Sequence, residues 1–405
     1  MRPTRRLRCL GLILGLVCLG PGTATAGVYN PGESDEAATY PDFINGPPGK
    51  DFREVVMNLR IIPLKQPEAD KPVRRRYVFM EEMISRAGPG GLKSPEDRLQ
   101  ASAVLIRRRK FDEAEQLLRP LALSPEGRDN IPIQSNFAAC LHMKGDLANA
   151  RDTLRAVLND HWPEDWSTLS EPRQRYLERV GWNEHLYHNY RVCDRYYLKL
   201  LTLRFRERIK KQESKSPLQL PDAIFDDGKD PPAPVRFVGE SGSYKAGTIA
   251  AAEKAKLPRD APDALAIVQQ LVVWMPDDLR LYWLLGDLYN AQGGKNGILS
   301  ALQIFSELYT GLELSKDTAV SEETRSQLKE RLKVLSAAKE VIDAEAAKDF
   351  NKKFDELDKR DGAALQVDWS TVAISFGVGF LLALFVVWQV REIQRRRARR
   401  ASGGV

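Results

Sequence analysis

Residues 99–121 read LQASAVLIRRRKFDEAEQLLRPL, and residues 137–158 read FAACLHMKGDLANARDTLRAVL. In each stretch, apolar residues recur three or four positions apart on both sides of a short polar break, which is typical of two helices joined by a turn. The residues Ser94-Pro95-Glu96-Asp97, which precede the first stretch, combine a capping Ser, a Pro and two acids, as at a helix start. The sequence therefore predicts two helical hairpins within residues 94–160.

The two hairpins also repeat each other at a spacing of 36 residues. Small or apolar residues occupy equivalent positions where two helices must approach closely. The pairs are Phe111 with Leu147, Ala114 with Ala150, Leu118 with Leu154, Ser102 with Ala138, and Leu105 with Leu141. This pattern resembles the tetratricopeptide repeat (TPR), a helix–turn–helix unit of about 34 residues. Its turn matches Lys144-Gly145-Asp146-Leu147 and, less closely, Arg109-Lys110-Phe111.

The same resemblance returns in residues 261–318. The stretch from 263 to 278, DALAIVQQLVVWMPDD, matches the second helix of a repeat, and LYWLLGDLYNAQGG follows at 281–294. Tyr282, Leu285, Gly286 and Tyr289 stand at the spacing of the family, and Ala301 and Phe305 follow after a short insertion. The resemblance implies an all-α fold, a TPR-like solenoid of helical hairpins.

A stretch of 21 residues without a charged side chain, STVAISFGVGFLLALFVVWQV at 370–390, predicts one C-terminal transmembrane helix, because about 20 apolar residues span a bilayer. Six Arg residues follow it in the tail, 391–405, which predicts a cytoplasmic tail and an extracytoplasmic body. At the other end, Arg residues, an apolar core and Ala24-Thr25-Ala26 predict a signal peptide at 1–26. We therefore expect a single-pass membrane protein whose body is extracytoplasmic and lies in the periplasm.

Between these ends the sequence predicts a series of segments. They are an extended lead-in (27–70), an N-terminal helical-repeat region (71–212), a Pro- and Gly-rich insertion or linker (213–260), the C-terminal TPR-like region (261–318) and a charged amphipathic closing helix (319–367). The closing helix either caps the last repeat or pairs with another copy of the chain. Small residues four apart in the predicted span also permit a homodimer there.

The net charge of +6 does not indicate nucleic-acid binding. The Arg residues of the signal peptide and the tail account for more than the whole excess, so residues 27–390 are slightly acidic. Cys140 and Cys193 are the two cysteines of the mature chain. They fit either one disulfide or two buried thiols, and they are too few for a disulfide framework.

No reaction is predicted. The chain has no Walker loop and no G-x-G-x-x-G motif, so no nucleotide or other cofactor is expected. Ser241 stands in an ordinary Gly-Ser turn with no His base in a matching context. His185 and His188 lack the third protein ligand that a zinc site needs, so no metal is expected.

The predicted function is that of a membrane-anchored extracytoplasmic scaffold, not an enzyme, that binds proteins through a concave groove. A subunit of an envelope secretion or cell-wall assembly complex is the alternative, and an envelope enzyme is a weaker one. The TPR resemblance implies that residues between the packing positions of the first helices line the groove. These are Ile106, Arg107, His142, Met143, Trp283, Asp287 and Asn290. Trp283 is expected to be partly exposed, because exposed Trp is common at binding hot spots. The alternative is that the insertion or the closing helix covers it and makes it a core residue.

Overall fold

The computed structural model describes residues 94–214, 222–260, 262–315 and 321–361, together with single positions between 52 and 92. Across these residues the chain is mainly helical and has no β-strand, so the fold is all-α, as predicted. None of the helices in these ranges combines the length and the apolar character that crossing a bilayer requires. The predicted signal peptide, the span at 370–390 and the basic tail lie outside the described residues.

Two helical hairpins stand where the 36-residue spacing places them. The Ser94 hydroxyl caps the first helix by accepting a hydrogen bond from the amide of Asp97 at 3.0 Å. Ala114 and Ala150 are fully buried at equivalent positions of the second helices, where their small side chains allow close packing. The helices are α1 (Pro95–Arg107), α2 (Phe111–Leu123), the short α3 (Pro125–Arg128), α4 (Ile131–Met143) and α5 (Leu147–Ala156), and α2 packs on α4.

One turn geometry ends three helices at 36-residue intervals. Arg109, Gly145 and Gly181 have φ values of 58°, 82° and 86°. The amide of each donates to the carbonyl three residues back, and the next amide donates to the carbonyl of a Leu five residues before it, at 2.8 to 2.9 Å. This is the Schellman arrangement, which satisfies the last carbonyls of a helix. The accepting residues are Leu105, Leu141 and Leu177.

The third turn lies within the predicted helical-repeat region, 71–212, but beyond the residues 94–160 in which TPR-like units were identified. It joins α6, Glu171–Arg179, to α7, Glu184–Ser214. The 31 residues of α7 make it much longer than the other second helices, and it packs on both α5 and the helix Ala264–Trp274 of the C-terminal region. Helix α7 therefore connects the two hairpin regions.

The C-terminal region is built around a tight pair formed by its last two helices. Gly286 allows the close approach, because a Cβ atom there would lie 2.8 Å from the ring of Phe305. A short helix, α8 (Ala251–Lys254), precedes the region, whose helices are α9 (Ala264–Trp274), α10 (Leu279–Gln292) and α11 (Gly294–Ser315).

Residues 222–260 have little regular structure, yet they belong to the same compact unit as the hairpins. Phe237, Tyr244 and Ile249 are buried in the common hydrophobic core. The segment therefore does not act as a free linker between two separate bodies.

Helix α12, Glu322–Asp361, is the longest helix that the structure describes. Its first part lies in the compact unit that ends at Glu340, and Leu328 and Leu335 are buried there. A second unit begins at Val341. From 343 to 353 its helical side chains are exposed, including Phe350 at 68%.

Candidate functional site

All seven residues predicted to line the groove are buried. His142, the most exposed of them, retains only 8% of its accessible surface, and Trp283 retains 1%. The expectation of a partly exposed Trp283 is therefore wrong, and the alternative of a core residue beneath the insertion and the closing helix is the one observed. Ile106 and Met143 are part of the hydrophobic core, and the polar members of the set bind other parts of the same chain.

Arg107 reaches from the end of α1 to the end of α9. Its Nη1 atom donates to the carbonyl oxygens of Val273 at 2.7 Å and Trp274 at 3.3 Å. The last carbonyls of a helix lack partners within the helix, and they carry partial negative charge, so a guanidinium is a favourable partner. Arg107 therefore joins the first hairpin to the C-terminal region.

His142 contacts the long helix α7. Its Nδ1 atom lies 2.9 Å from the hydroxyl of Tyr197, and the side chain is almost fully enclosed. Burial, with a further contribution from the Arg204 charge, lowers the pKa of His142 to about 3. The imidazole is therefore neutral at physiological pH and serves as a hydrogen-bonding core residue.

Trp283 and Asp287 surround an arginine from helix α12. The Arg331 guanidinium lies 5.0 Å from the Trp283 ring centroid, 4.7 Å from that of Tyr244 and 5.8 Å from that of Phe305. Asp287 completes the enclosure, because its Oδ1 atom accepts from Nε of Arg331 at 2.9 Å. Stacking on aromatic faces and pairing with a carboxylate both favour a buried guanidinium. This cage attaches α12 to the last helix pair.

Asn290 holds the irregular segment that precedes α8. Its Nδ2 atom donates to the Lys245 carbonyl at 2.8 Å, and its Oδ1 atom accepts from the Gly247 amide at 2.7 Å. Gly247 has a φ of +70°, a conformation that favours glycine. Both the nitrogen and the oxygen of the Asn290 side-chain amide therefore bind peptide backbone.

A buried charge network lies beside the residues of the predicted groove. Arg204 of α7 contacts Asp222 and Asp278, each at 2.6 Å, and Arg280 contacts Asp222 at 2.7 Å and Glu207 at 2.6 Å. Burial opposes ionisation of Asp278, but the charge and hydrogen bond of Arg204, the Leu281 amide and the Arg280 charge together outweigh it and lower the pKa of that carboxyl. The network joins α7, the irregular segment and the start of α10, where Asp278 is also the capping residue.

The carboxylates of the network are held by arginines, and the described ranges contain no cluster of three or more His, Cys, Asp or Glu that could hold a metal ion. Cys140 and Cys193 are buried free thiols. Burial raises the pKa of Cys140 to about 12 and that of Cys193 further, which disfavours the nucleophilic thiolate.

Sequence reasoning did not identify the partners of the predicted residues. Arg331 lies 44 residues from Asp287, and Trp274 lies 167 residues from Arg107. Contacts at such separations leave no local periodicity. The third turn did leave a signal, because Leu177 and Gly181 follow Leu141 and Gly145 at the same interval. Comparison of the chain with protein-family models, curated proteins and solved structures gave no match.

Proposed function

We propose that this chain is a TPR-like scaffold, exported and anchored in the membrane, which binds other proteins and catalyses no reaction of its own. The observation that supports this proposal most strongly is the turn that recurs at Arg109, Gly145 and Gly181. A helix–turn–helix unit reused at a fixed interval produces a stacked array, and such arrays commonly present extended surfaces for peptides and helices.

The use of the buried polar residues is consistent with binding rather than catalysis. Arg107 and Asn290 recognise peptide backbone, and Asp287 with Trp283 recognises a guanidinium. In each case the recognised group belongs to the same chain. A partner therefore binds either on the outer surface of the array or by replacing one of these internal segments.

The membrane anchor is proposed from the apolar residues 370–390 and the Arg residues that follow them. With this orientation the repeats lie in the extracytoplasmic space, where we expect protein partners. A role as a subunit of an envelope assembly complex would use the same surfaces.

Site-specific photocrosslinking in intact membranes tests the proposal. A photoreactive residue at Leu123 or Leu279, which are 63% and 45% exposed, should capture a partner. The same residue at the buried Leu118 of a folded chain should capture none and serves as the matched control. If none of the exposed positions captures a protein while the purified chain converts an envelope substrate, the chain is an enzyme and the scaffold proposal is wrong.

A further inference from the structure

A continuous series of tryptophan and tyrosine rings runs between α7 and its neighbours. Adjacent ring centroids lie 4.9 to 6.4 Å apart. In order, the rings of this series are those of Trp166, Tyr187, Trp162, Trp182, Tyr190, Trp274 and Tyr197. Trp166 is half-buried, and Tyr197 retains 1% of its accessible surface. The ring series therefore leads from the surface to the interior.

The helices explain why these rings meet. Tyr187, Tyr190 and Tyr197 lie three and seven residues apart, on one face of α7. Trp274 is the last residue of α9, which packs on α7. Every ring in the series is an indole or a phenol, and these are the aromatic side chains that lose a single electron most readily. A phenylalanine ring, such as that of Phe305 beside Arg331, could not take part in electron transfer.

The last ring of the series has a hydrogen bond suited to the loss of a proton. The Tyr197 hydroxyl lies 2.9 Å from Nδ1 of His142, which is its only hydrogen-bond partner in the described ranges. A buried hydroxyl without an acceptor is costly, so we assign the phenol as donor and Nδ1 as acceptor. Burial lowers the pKa of His142 to about 3, so the imidazole is neutral and Nδ1 can accept.

We propose that Tyr197 is a redox-active tyrosine, oxidised by one electron through the ring series, with His142 as its proton acceptor. The oxidant is a one-electron oxidant in solution, such as an oxygen-centred radical, that meets Trp166. The oxidant takes an electron from Trp166, and each ring of the series is then reduced by the next. Tyr197 supplies the last electron, and its hydroxyl proton moves to Nδ1 of His142. The products are the reduced oxidant, a neutral phenoxyl radical and an imidazolium.

Tyr197 is the favoured end point because its hydroxyl is bound to a base. The Tyr187 hydroxyl donates instead to the Pro163 carbonyl at 2.7 Å, and a peptide carbonyl cannot take up a proton in this way. An oxidised phenol is a much stronger acid than an imidazolium, even one whose pKa is about 3, so the proton still moves to His142. Burial then protects the radical from reactions with other molecules. This inference does not depend on the scaffold function.

Flash photolysis of the full-length chain with a photo-oxidised ruthenium polypyridyl complex tests the proposal. Electron paramagnetic resonance should detect a tyrosyl radical that is lost in Tyr197→Phe, a change that removes only the hydroxyl. Tyr190→Phe interrupts the ring series and should remove most of the same signal. Tyr196→Phe is the matched control, because Tyr196 also lies half-buried on α7 but contacts the Phe225 ring and not the series. That variant should keep the signal.

His142→Gln separates proton transfer from packing. Gln can accept the hydrogen bond but is too weak a base to take the proton. Because a positioned base commonly accelerates proton transfer by about a hundredfold or more, radical formation should slow by at least about that factor. In the wild-type chain, electron–nuclear double resonance should show an exchangeable proton hydrogen-bonded to the radical oxygen.

Three results would overturn the proposal, each measured on chains with wild-type helical content. The first is an unchanged tyrosyl signal in Tyr197→Phe, and the second is equal signals in Tyr190→Phe and Tyr196→Phe. The third is radical formation in His142→Gln at the wild-type rate. Absence of the exchangeable proton in the wild-type chain, a result that needs no variant, would also overturn it.

Discussion

The Arg204 guanidinium holds the Asp278 carboxylate at 2.6 Å, and through it α7 is attached to the N-terminal cap of α10. Asp222 makes a second contact with the same guanidinium, and the two carboxylates are 0% and 4% exposed at the side chain. Because both carboxylates are buried, water cannot replace the arginine as their hydrogen-bond donor. The pair therefore stabilises the junction between the two hairpin regions only while both partners are present.

Arg204→Met is expected to reduce the free energy of unfolding by roughly 3 to 5 kcal/mol, because it leaves buried carboxylates without their main cation. Adding Asp278→Asn should restore part of the loss, since Asn keeps the capping oxygen and removes a charge. Urea unfolding of the full-length chain measures both. Glu171→Gln breaks an exposed pair with Arg175 and should change stability by less than about 1 kcal/mol. If Arg204→Met reduced the free energy of unfolding by as little as Glu171→Gln does, the network would not stabilise the junction.

Gly286→Ala and Gly311→Ala are expected to have opposite effects. At Gly286 the added methyl group would lie 2.8 Å from the Phe305 ring and 3.1 Å from Ile304, so overpacking should cost about 1 to 3 kcal/mol. At Gly311, in helix α11, the methyl group meets no atom within 4 Å, and Ala should stabilise the helix by about 0.5 to 1 kcal/mol. Thermal unfolding of the two variants provides the comparison. Equal melting temperatures would mean that α10 and α11 are not closely packed at Gly286.

The hairpins could be predicted because their information is local. Ala114 and Ala150 recur at one spacing, and Ser94 marks a helix start that the structure reproduces. The third turn was missed because the residues 36 positions after Ala150 and Leu154 are Leu186 and Tyr190, which do not match the small and aliphatic pattern. The turn at Gly181 therefore has the same backbone geometry as the first two turns, although the helix that follows it lacks their side-chain pattern.

The residues that bury the predicted groove positions could not be predicted in the same way. Local spacing correctly placed Trp283 beside the packing positions of α10, but it contains no information about Arg331 or Tyr244. In residues 222–260, a composition rich in Pro and Gly predicts the lack of regular structure. It does not predict that Phe237 and Ile249 are buried, because so few apolar residues form no period.

His142 should make the chain less stable as the pH falls. Its pKa is about 3 in the folded state, below the ordinary value near 6.5, so between these values the unfolded chain binds a proton that the folded chain does not. Stability should therefore decrease as the pH falls from about 6.5 towards 3, by at most about 1.4 kcal/mol per unit from this residue.

Urea unfolding from pH 7 to pH 4 tests this expectation. His142→Gln should reduce the slope of stability against pH, because Gln does not titrate. The carboxyl of Asp278 has a lowered pKa and also contributes to acid sensitivity. Both chains must therefore retain Asp278, so that the difference between their slopes is due to His142. An identical slope in the wild-type and His142→Gln chains would show that His142 is not held neutral by burial.

The predicted topology can be tested with fusions of a reporter that is active only in the cytoplasm. A fusion after Arg400 should be active, because the tail follows the predicted span and its Arg residues favour the cytoplasmic side. A fusion after Gln366 should be inactive. The reverse pattern would place the repeats in the cytoplasm and would exclude extracytoplasmic partners.

Trp283→Ala distinguishes a core residue from a groove residue. The indole is 1% exposed, its Nε1 atom donates to Asp287 at 3.0 Å, and it faces both Phe305 and Arg331. Loss of this packing should reduce the free energy of unfolding by roughly 3 to 5 kcal/mol, as for large core side chains. Leu123→Ala, at a position 63% exposed, should change it by no more than about 0.5 kcal/mol.

The same variant should leave partner binding intact in the fraction of molecules that remain folded, because no surface of Trp283 is available to a partner. Thermal unfolding and crosslinking yield, normalised to folded protein, are the two measurements. An unchanged melting temperature together with lost crosslinking would return Trp283 to the binding surface. It would also mean that Arg331 leaves the cage when a partner binds, because the indole can meet another protein only after that guanidinium has moved away.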